Sequence, residues 1–181
     1  MKQLFKQSGN KLLYWQAWYA RPNAVVVNEG QFGKVGTKTR IKIVLQSSRL
    51  EDTLNREYQL KLATRGYHQR EYSGAVKIVF EPELPSAYDA DHLHQLVLDT
   101  LRDTGNSYEI EDAIALESRT EILCPVFDLQ MAQRVLVKML KDDSILFSKT
   151  KIYSRTSEDS QFSCVWDNGE FSATDDFSPR P

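Results

Sequence analysis

A chain of 181 residues that is 41% hydrophobic, 27% charged and of formal net charge -2 has the composition of one globular domain or two small ones. Eight glycines, six prolines and two cysteines are too few for a low-complexity, collagen-like or disulfide-framework chain. No run approaches the roughly 18 apolar residues that span a bilayer, and Met1 to Gln7 lacks the apolar stretch of a signal peptide, so the expectation is a cytoplasmic protein with no membrane partner.

The near-neutral total conceals a split. Residues 1–73 hold 13 Lys+Arg against 5 Asp+Glu, a net of +8, whereas residues 74–181 hold 10 against 20, a net of -10. Such an asymmetry predicts two units with different partners, the basic one suited to a polyanion. The bland alternative is an ordinary solvated cationic surface.

The first half reads as strands followed by one helix. Leu12 to Tyr19 and Ala24 to Val27 are aromatic and β-branched runs flanking Ala20-Arg21-Pro22-Asn23, which predicts a hairpin. Trp15 and Trp18 have opposite parity on the first run, so one is expected in the core and the other part-exposed. Gly30, Gly33 and Gly36 mark a turn whose backbone geometry a side chain would forbid. In the strand Thr39 to Leu45, Ile41, Ile43 and Leu45 share one face, and Arg40, Lys42 and Val44 the other. Ser48-Arg49-Leu50-Glu51 fits a capping box opening a helix that closes near Gly66, with Leu50, Leu54, Tyr58 and Leu62 as its buried stripe. Gly66-Tyr67 supplies its C-cap and an aromatic that tucks back.

After a short polar stretch, Gln69 to Ser73, the rhythm changes. A strand over Gly74 to Glu81 is followed by a helix that Asp89 caps, with Leu93, Leu96, Val97, Thr100 and Leu101 inward and Gly105 as its stop. Two strands follow, Tyr108 to Leu116, a stretch whose composition also suits a helix, and Thr120 to Phe127, joined at Ser118-Arg119. Asp128 then caps a helix whose apolar face is Met131, Ala132, Val135, Leu136 and Met139. Ile145-Leu146-Phe147 through Tyr153 reads as a further strand, Phe162 to Trp166 as one more, and the residues from 170 as a loose acidic tail. The fold class expected is therefore α+β: a basic domain over 1–73, an acidic ferredoxin-like βαββαβ domain over 74–169, and a tail over 170–181.

An aromatic hairpin, the turn Phe32-Gly33-Lys34-Val35-Gly36-Thr37, a strand, one capped helix and the closing Lys61-Leu62-Ala63-Thr64-Arg65-Gly66-Tyr67 together resemble a WGR domain over about residues 8–70. The family signature reads Trp-Gly-Arg-aliphatic-Gly, and Phe32 and Lys34 stand here in place of its Trp and Arg. WGR domains occur in nuclear poly(ADP-ribose) polymerases, where they bind DNA at strand breaks, and in bacterial proteins. The resemblance implies a bacterial DNA-binding protein in which Phe32 stacks on a terminal sugar or base and Lys34, next to Gly33, meets a phosphate. Lys38, Arg40 and Lys42 would add backbone contacts without sequence preference, at ends, nicks or elsewhere. Trp18 is either a stacking platform beside these cations or a packing residue of the hairpin. The structural alternative for the turn is a bend with Phe32 buried.

Nothing points to an enzyme or a cofactor. His92 and His94 are two apart, a spacing that sends them to different helix faces and not to one metal, and Cys124 and Cys164 read as inert buried thiols. Phosphate-loop, zinc-protease and nucleophile-elbow patterns are absent from the sequence. The expected function is non-enzymatic DNA binding by the first half, with a protein partner or homodimer contact through the acidic half. The competing expectation is a protein-interaction, inhibitor or immunity factor whose WGR-like half is only scaffold.

Overall fold

Long aromatic and β-branched runs in the first forty residues pair as antiparallel strands in the computed structural model, which describes residues 1–20, 24–42, 48–64, 66–81, 84–107, 109–116 and 119–171, with side chains at all of these except Lys42, Ser48, Asp112, Ala113, Ala115, Leu116 and Phe171. The strands are β1 (Lys2–Ser8), β2 (Lys11–Ala20), β3 (Ala24–Gln31) and β4 (Thr37–Lys42), forming one four-stranded sheet in that order. The turn residues Arg21 to Asn23 and the strand residues Ile43 to Leu45 lie outside the described residues. β1 has no counterpart among the expected strands, because Gln3, Leu4 and Phe5 are all buried and leave no alternation to read.

One face of this sheet is apolar. Leu4, Trp15, Ala17 and Val25 pack against Leu54 and Tyr58 of α1 (Ser48–Leu62), with Leu50, Ile41 and Tyr67 around them. Leu62, expected on that stripe, is instead 37% exposed: it is the last helical residue, and Tyr67 packs on the cluster after the chain turns through Gly66 at φ +91°. The opposite face carries Gln3, Phe5, Tyr14, Gln16, Trp18 and Asn28, all buried. Both tryptophans are thus buried, and neither is the part-exposed one that strand parity predicted.

The chain divides into two compact units, Met1–Glu71 with Arg102–Tyr108 and Tyr72–Leu101 with Glu109–Pro181. A division at residue 73 does not set Arg102–Tyr108 apart from the second half. The partners of that segment lie about ninety positions upstream, beyond any local pattern.

The second unit contains β5 (Gly74–Phe80), α2 (Ala90–Asp103), β6 (Asp112–Leu116), β7 (Arg119–Val126), α3 (Leu129–Lys141), α4 (Ser144–Phe147), β8 (Thr150–Thr156), β9 (Ser163–Asp167) and β10 (Glu170–Phe171), except that the last two residues of α2, Arg102 and Asp103, belong to the first. The sheet order is β10-β9-β8-β5-β7-β6, antiparallel throughout. Val76, Ile78, Phe80, Ile122, Cys124, Val126 and Ile152 form one face of this sheet, against Leu93 and Val97 of α2 and Leu136 and Leu140 of α3. The molecule is accordingly α+β, with two antiparallel sheets.

Carboxylates start the helices of this unit. Asp89 accepts from the His92 N–H at 2.8 Å, and Asp128 from that of Met131 at 2.8 Å. The buried stripe of α3 is Ala132, Gln133, Leu136, Val137 and Leu140, shifted from the expected one, with Met131, Val135 and Met139 only half-buried. Buried Gln133 is satisfied by donating to the Ser154 hydroxyl at 3.0 Å. Ile145-Leu146-Phe147 is not strand but the helical turn α4, because Asp143 accepts from the Ile145 and Leu146 N–H groups. Burial opposes ionisation of Asp143, yet the hydrogen bonds from Tyr88, Leu146 and Ile145 and the charge of His92 hold its pKa below the ordinary value. At the other end, Asn168 and Gly169 adopt φ of 47° and 102°, a tight turn that pairs β10 with β9. The expected tail thus begins with two paired residues, and 172–181 lie outside the described set.

Two predictions follow from these placements. Burial pushes the Cys124 thiol up to about 12, whereas Cys164 is half-exposed and not buried as expected. A disulfide reagent applied to the native protein should titrate one thiol, the second reacting only on denaturation, and two fast equivalents would contradict the burial of Cys124. Replacing the Asp143 cap by Ala should cost about 1 kcal/mol at neutral pH. Because the folded-state pKa is lowered, that cost is present above the unfolded pKa and fades as pH falls through the folded one. A cost independent of pH would contradict a role for the ionised carboxylate.

Candidate nucleic-acid interface at the glycine turn

The chain leaves β3 at Gln31 and reaches β4 at Thr37 through Phe32-Gly33-Lys34-Val35-Gly36. The Lys34 N–H donates to the Gln31 carbonyl at 3.0 Å, and Gly33 stands at φ +79°, which glycine adopts without strain. A Cβ on Gly36 would run into the Tyr14 hydroxyl, the Asn28 side-chain Oδ1 and the Glu29 main-chain carbonyl, so only glycine fits there. Phe32 enters the turn from the buried side, edge-on to Phe5 at 5.7 Å between ring centroids.

Both glycine N–H groups of the turn are engaged within the same unit. Gly33 donates to the Thr104 carbonyl at 2.8 Å and Gly36 to the Asp103 carbonyl at 3.1 Å. The polar face of the sheet completes the set. Tyr14 Oη donates to the Asp103 carbonyl, Asn28 Nδ2 to that of Arg102 at 3.3 Å, Gln3 Nε2 to that of Gly105, and Gln16 Nε2 to that of Ser107 at 3.3 Å. A helix end leaves its last carbonyls without intrahelical partners, and these donors are placed where the end of α2 and the turn after it need them. Burial first, with the charge of Asp103 also contributing and the Asn28 hydrogen bond opposing, pushes the Tyr14 hydroxyl up to about 12, so it remains a donor at neutral pH.

Two ionic contacts flank these bonds. Lys38 Nζ meets the Asp103 carboxylate at 2.6 Å, with 44% of its side chain still exposed. The Arg102 guanidinium lies 4.6 Å from the Trp18 ring centroid, over its face.

The residues expected to contact nucleic acid therefore divide into two groups. Phe32 and Trp18 are 7% and 9% exposed, so neither ring offers a face for stacking; both are packing residues. Gly33 is engaged with Thr104. Lys34, Lys38 and Arg40 are exposed, and Lys34 makes no ion pair among the described residues. Lys42 closes β4, its side chain outside the description. Elsewhere in the unit, Lys2 lies over Tyr58, Lys6 and Lys61 over Tyr67, and Arg70 over Phe5, while Lys61 also pairs with Glu29. Four further cations of the unit thus lie over aromatic faces.

Gln3, Tyr14, Gln16, Asn28 and Asp103 are the residues that sequence reasoning missed. A signal existed: Gln16 and Asn28 are amides inside strongly apolar strands, a pattern that implies a buried polar partner. Among the described residues no His, Cys, Asp and Glu cluster could hold a metal ion, and no helix is long and apolar enough to cross a membrane. No family model, curated protein or solved structure matches the chain.

Gly105, at φ +78°, lies so close to Tyr14 that a Cβ would enter the ring, whereas Gly9, at φ +58°, has nothing within 4 Å. Gly9→Ala should cost about 1 kcal/mol, the penalty for the left-handed backbone alone. Gly105→Ala should cost about 1–3 kcal/mol more from overpacking. Equal losses in denaturant unfolding of the full chain would show that Gly105 does not sit on Tyr14.

Proposed function

We propose that the protein is a non-enzymatic nucleic-acid-binding protein whose first unit is WGR-like and meets the phosphate backbone through cations at the rim of its sheet. The observation that carries this reading is the exposure of Lys34, Lys38 and Arg40 along the glycine turn and β4, the last strand of the sheet. Arg102 and Asp103 cancel, so the unit keeps the net +8 of residues 1–73. A four-stranded antiparallel sheet backed by one helix, closed by Gly66-Tyr67, supports the WGR likeness. The order β8-β5-β7-β6, with α2 and α3 packed on one face, supports a ferredoxin-like second unit.

With Phe32 and Trp18 buried, contact is electrostatic and independent of strand ends. Affinity then comes from counterion release and falls steeply with salt. A second reading, that the WGR-like half is scaffold for a protein-interaction factor whose acidic unit takes a basic partner or a second copy, is favoured by one observation: the Gly33 and Gly36 N–H groups hold polypeptide main chain.

Titrating the full chain with blunt and nicked duplex at about 50 and about 200 mM salt separates the two. The expected result is equal, salt-sensitive binding to both forms. Lys34→Ala with Arg40→Ala should weaken it about tenfold at the lower salt and reduce the log–log salt slope by about two. Arg56→Ala, whose side chain pairs with Glu57 on α1, should change neither. Absence of salt-sensitive binding by the unaltered chain would overturn the nucleic-acid reading in favour of the scaffold.

A further inference from the structure

The sheet of the second unit has two unlike faces. α2 and α3 cover the face bearing Val76, Ile78 and Ile152. Strand alternation sends Ala75, Lys77 and Val79 of β5, with Tyr153 and Arg155 of β8, to the other. Register sets Lys77 opposite Tyr153 and Ala75 opposite Arg155, and Tyr153 faces Cys164 across the next ladder, just after Phe162. Ala75 and Val79 are buried beneath these longer side chains, which are themselves half-buried.

Cations and rings interleave on this face. Lys77 Nζ lies 5.1 Å from the Tyr153 ring centroid and 5.4 Å from that of Phe162, and the Arg155 guanidinium lies 4.7 Å from Phe162. The local carboxylates are mostly committed elsewhere. Glu121 pairs with Arg119 at 2.6 Å and only loosely with Lys77 at 3.9 Å, while Glu81 and Asp167 both serve Lys151. Asp159 accepts from the Thr156 hydroxyl at 2.8 Å, and Arg155 makes no ion pair among the described residues. A cation held chiefly by a ring face is weakly held and free to turn to a stronger anion. The unit's net acidity does not forbid this. Asp89, Asp128 and Asp143 stand at the starts of helices that pack on the other face of the sheet.

We propose that this open face binds single-stranded nucleic acid, with Tyr153 and Phe162 stacking bases and Lys77 and Arg155 meeting phosphates. Single strands fit because a base must expose its flat face to stack on a ring, which only the terminal bases of a duplex do. The groups spread over β5, β8 and the residue before β9 and do not converge on a closed cavity. The adjoining cleft, lined by Tyr72, Gly74, Pro125 and Arg155 together with the carboxylates Glu111 and Asp159, has a volume of about 240 Å³, below the roughly 300 Å³ at which pockets begin to hold a whole small ligand. This site is separate from the cations of the first unit and does not rest on duplex binding there.

The test is anisotropy of labelled oligonucleotides of about 12 residues, titrated with the full chain carrying Lys34→Ala, Lys38→Ala, Arg40→Ala and Lys42→Ala, so that the cations proposed to meet phosphate in the first unit are removed. Binding should persist in that background with a log–log salt slope of about -1.4, two phosphates at roughly 0.7 each. Tyr153→Ala and Phe162→Ala should each weaken it at least about fivefold, and Tyr153→Phe should retain it. Lys77→Gln with Arg155→Gln should abolish the salt dependence. Loss of all single-strand binding in the starting background, or equal losses for Tyr153→Ala and Tyr153→Phe, would overturn the proposal. The duplex titration is read on other residues, so either result can fail while the other holds.

Discussion

Main-chain carbonyls at Arg102, Asp103, Thr104, Gly105 and Ser107 each accept a hydrogen bond from the buried polar face of the first sheet or from its glycine turn. The rest of the first unit follows from that constraint. An antiparallel sheet can leave one face to water, but here one face is apolar for α1 and the other is built of amides, a phenol and glycine N–H groups that match peptide carbonyls. Buried amide NH2 groups need acceptors, so those of Gln3, Gln16 and Asn28 make sense together with Arg102–Tyr108 and not without it, while Gln16 Oε1 and Asn28 Oδ1 are buried without a hydrogen-bond partner among the described residues. The same constraint fixes the glycines: Gly36 and Gly105 have no room for a Cβ against Tyr14.

This arrangement gives the signature-like turn a different meaning from the one its sequence carries. Aromatic, glycine and cation at the right spacing read as a ligand-facing triplet. In the structure the aromatic is buried against Phe5 and the glycine N–H is taken by Thr104, leaving the cation outside. On the proposed reading, contact in the first unit is electrostatic, while the rings of Tyr153 and Phe162 lie among cations in the second. The net charge of a unit is a sum and does not say where its cations and rings lie together.

Local chemistry made much of the fold legible. β-branched runs placed β2, β3, β5 and β7, and the aspartates at 89 and 128 placed the starts of α2 and α3. Errors arose where a local rule met a competing one. Ile145 to Phe147 has strand composition, but the Asp143 cap made it helical. The Asn168-Gly169 turn signal stood at the end of the expected domain with no strand read after it, and β1 showed no alternation because both of its faces are covered. The candidate site was legible only in part. Lys34, Lys38 and Arg40 are exposed as their strand and turn positions implied, but the burial of Phe32 and Trp18 depends on a segment seventy to ninety positions away.

Amide hydrogen exchange at Gly33 and Gly36 tests the central claim most directly. Both lie in a surface turn, where N–H groups ordinarily exchange at nearly the unprotected rate. If they donate to Thr104 and Asp103, both should be protected to a degree comparable with the β2–β3 ladder, and Gly105→Ala should lower the protection of both together. Unprotected Gly33 and Gly36 amides in a protein whose β2 and β3 amides are protected would contradict the account, leaving the turn free and the polar face of the first sheet without its partner.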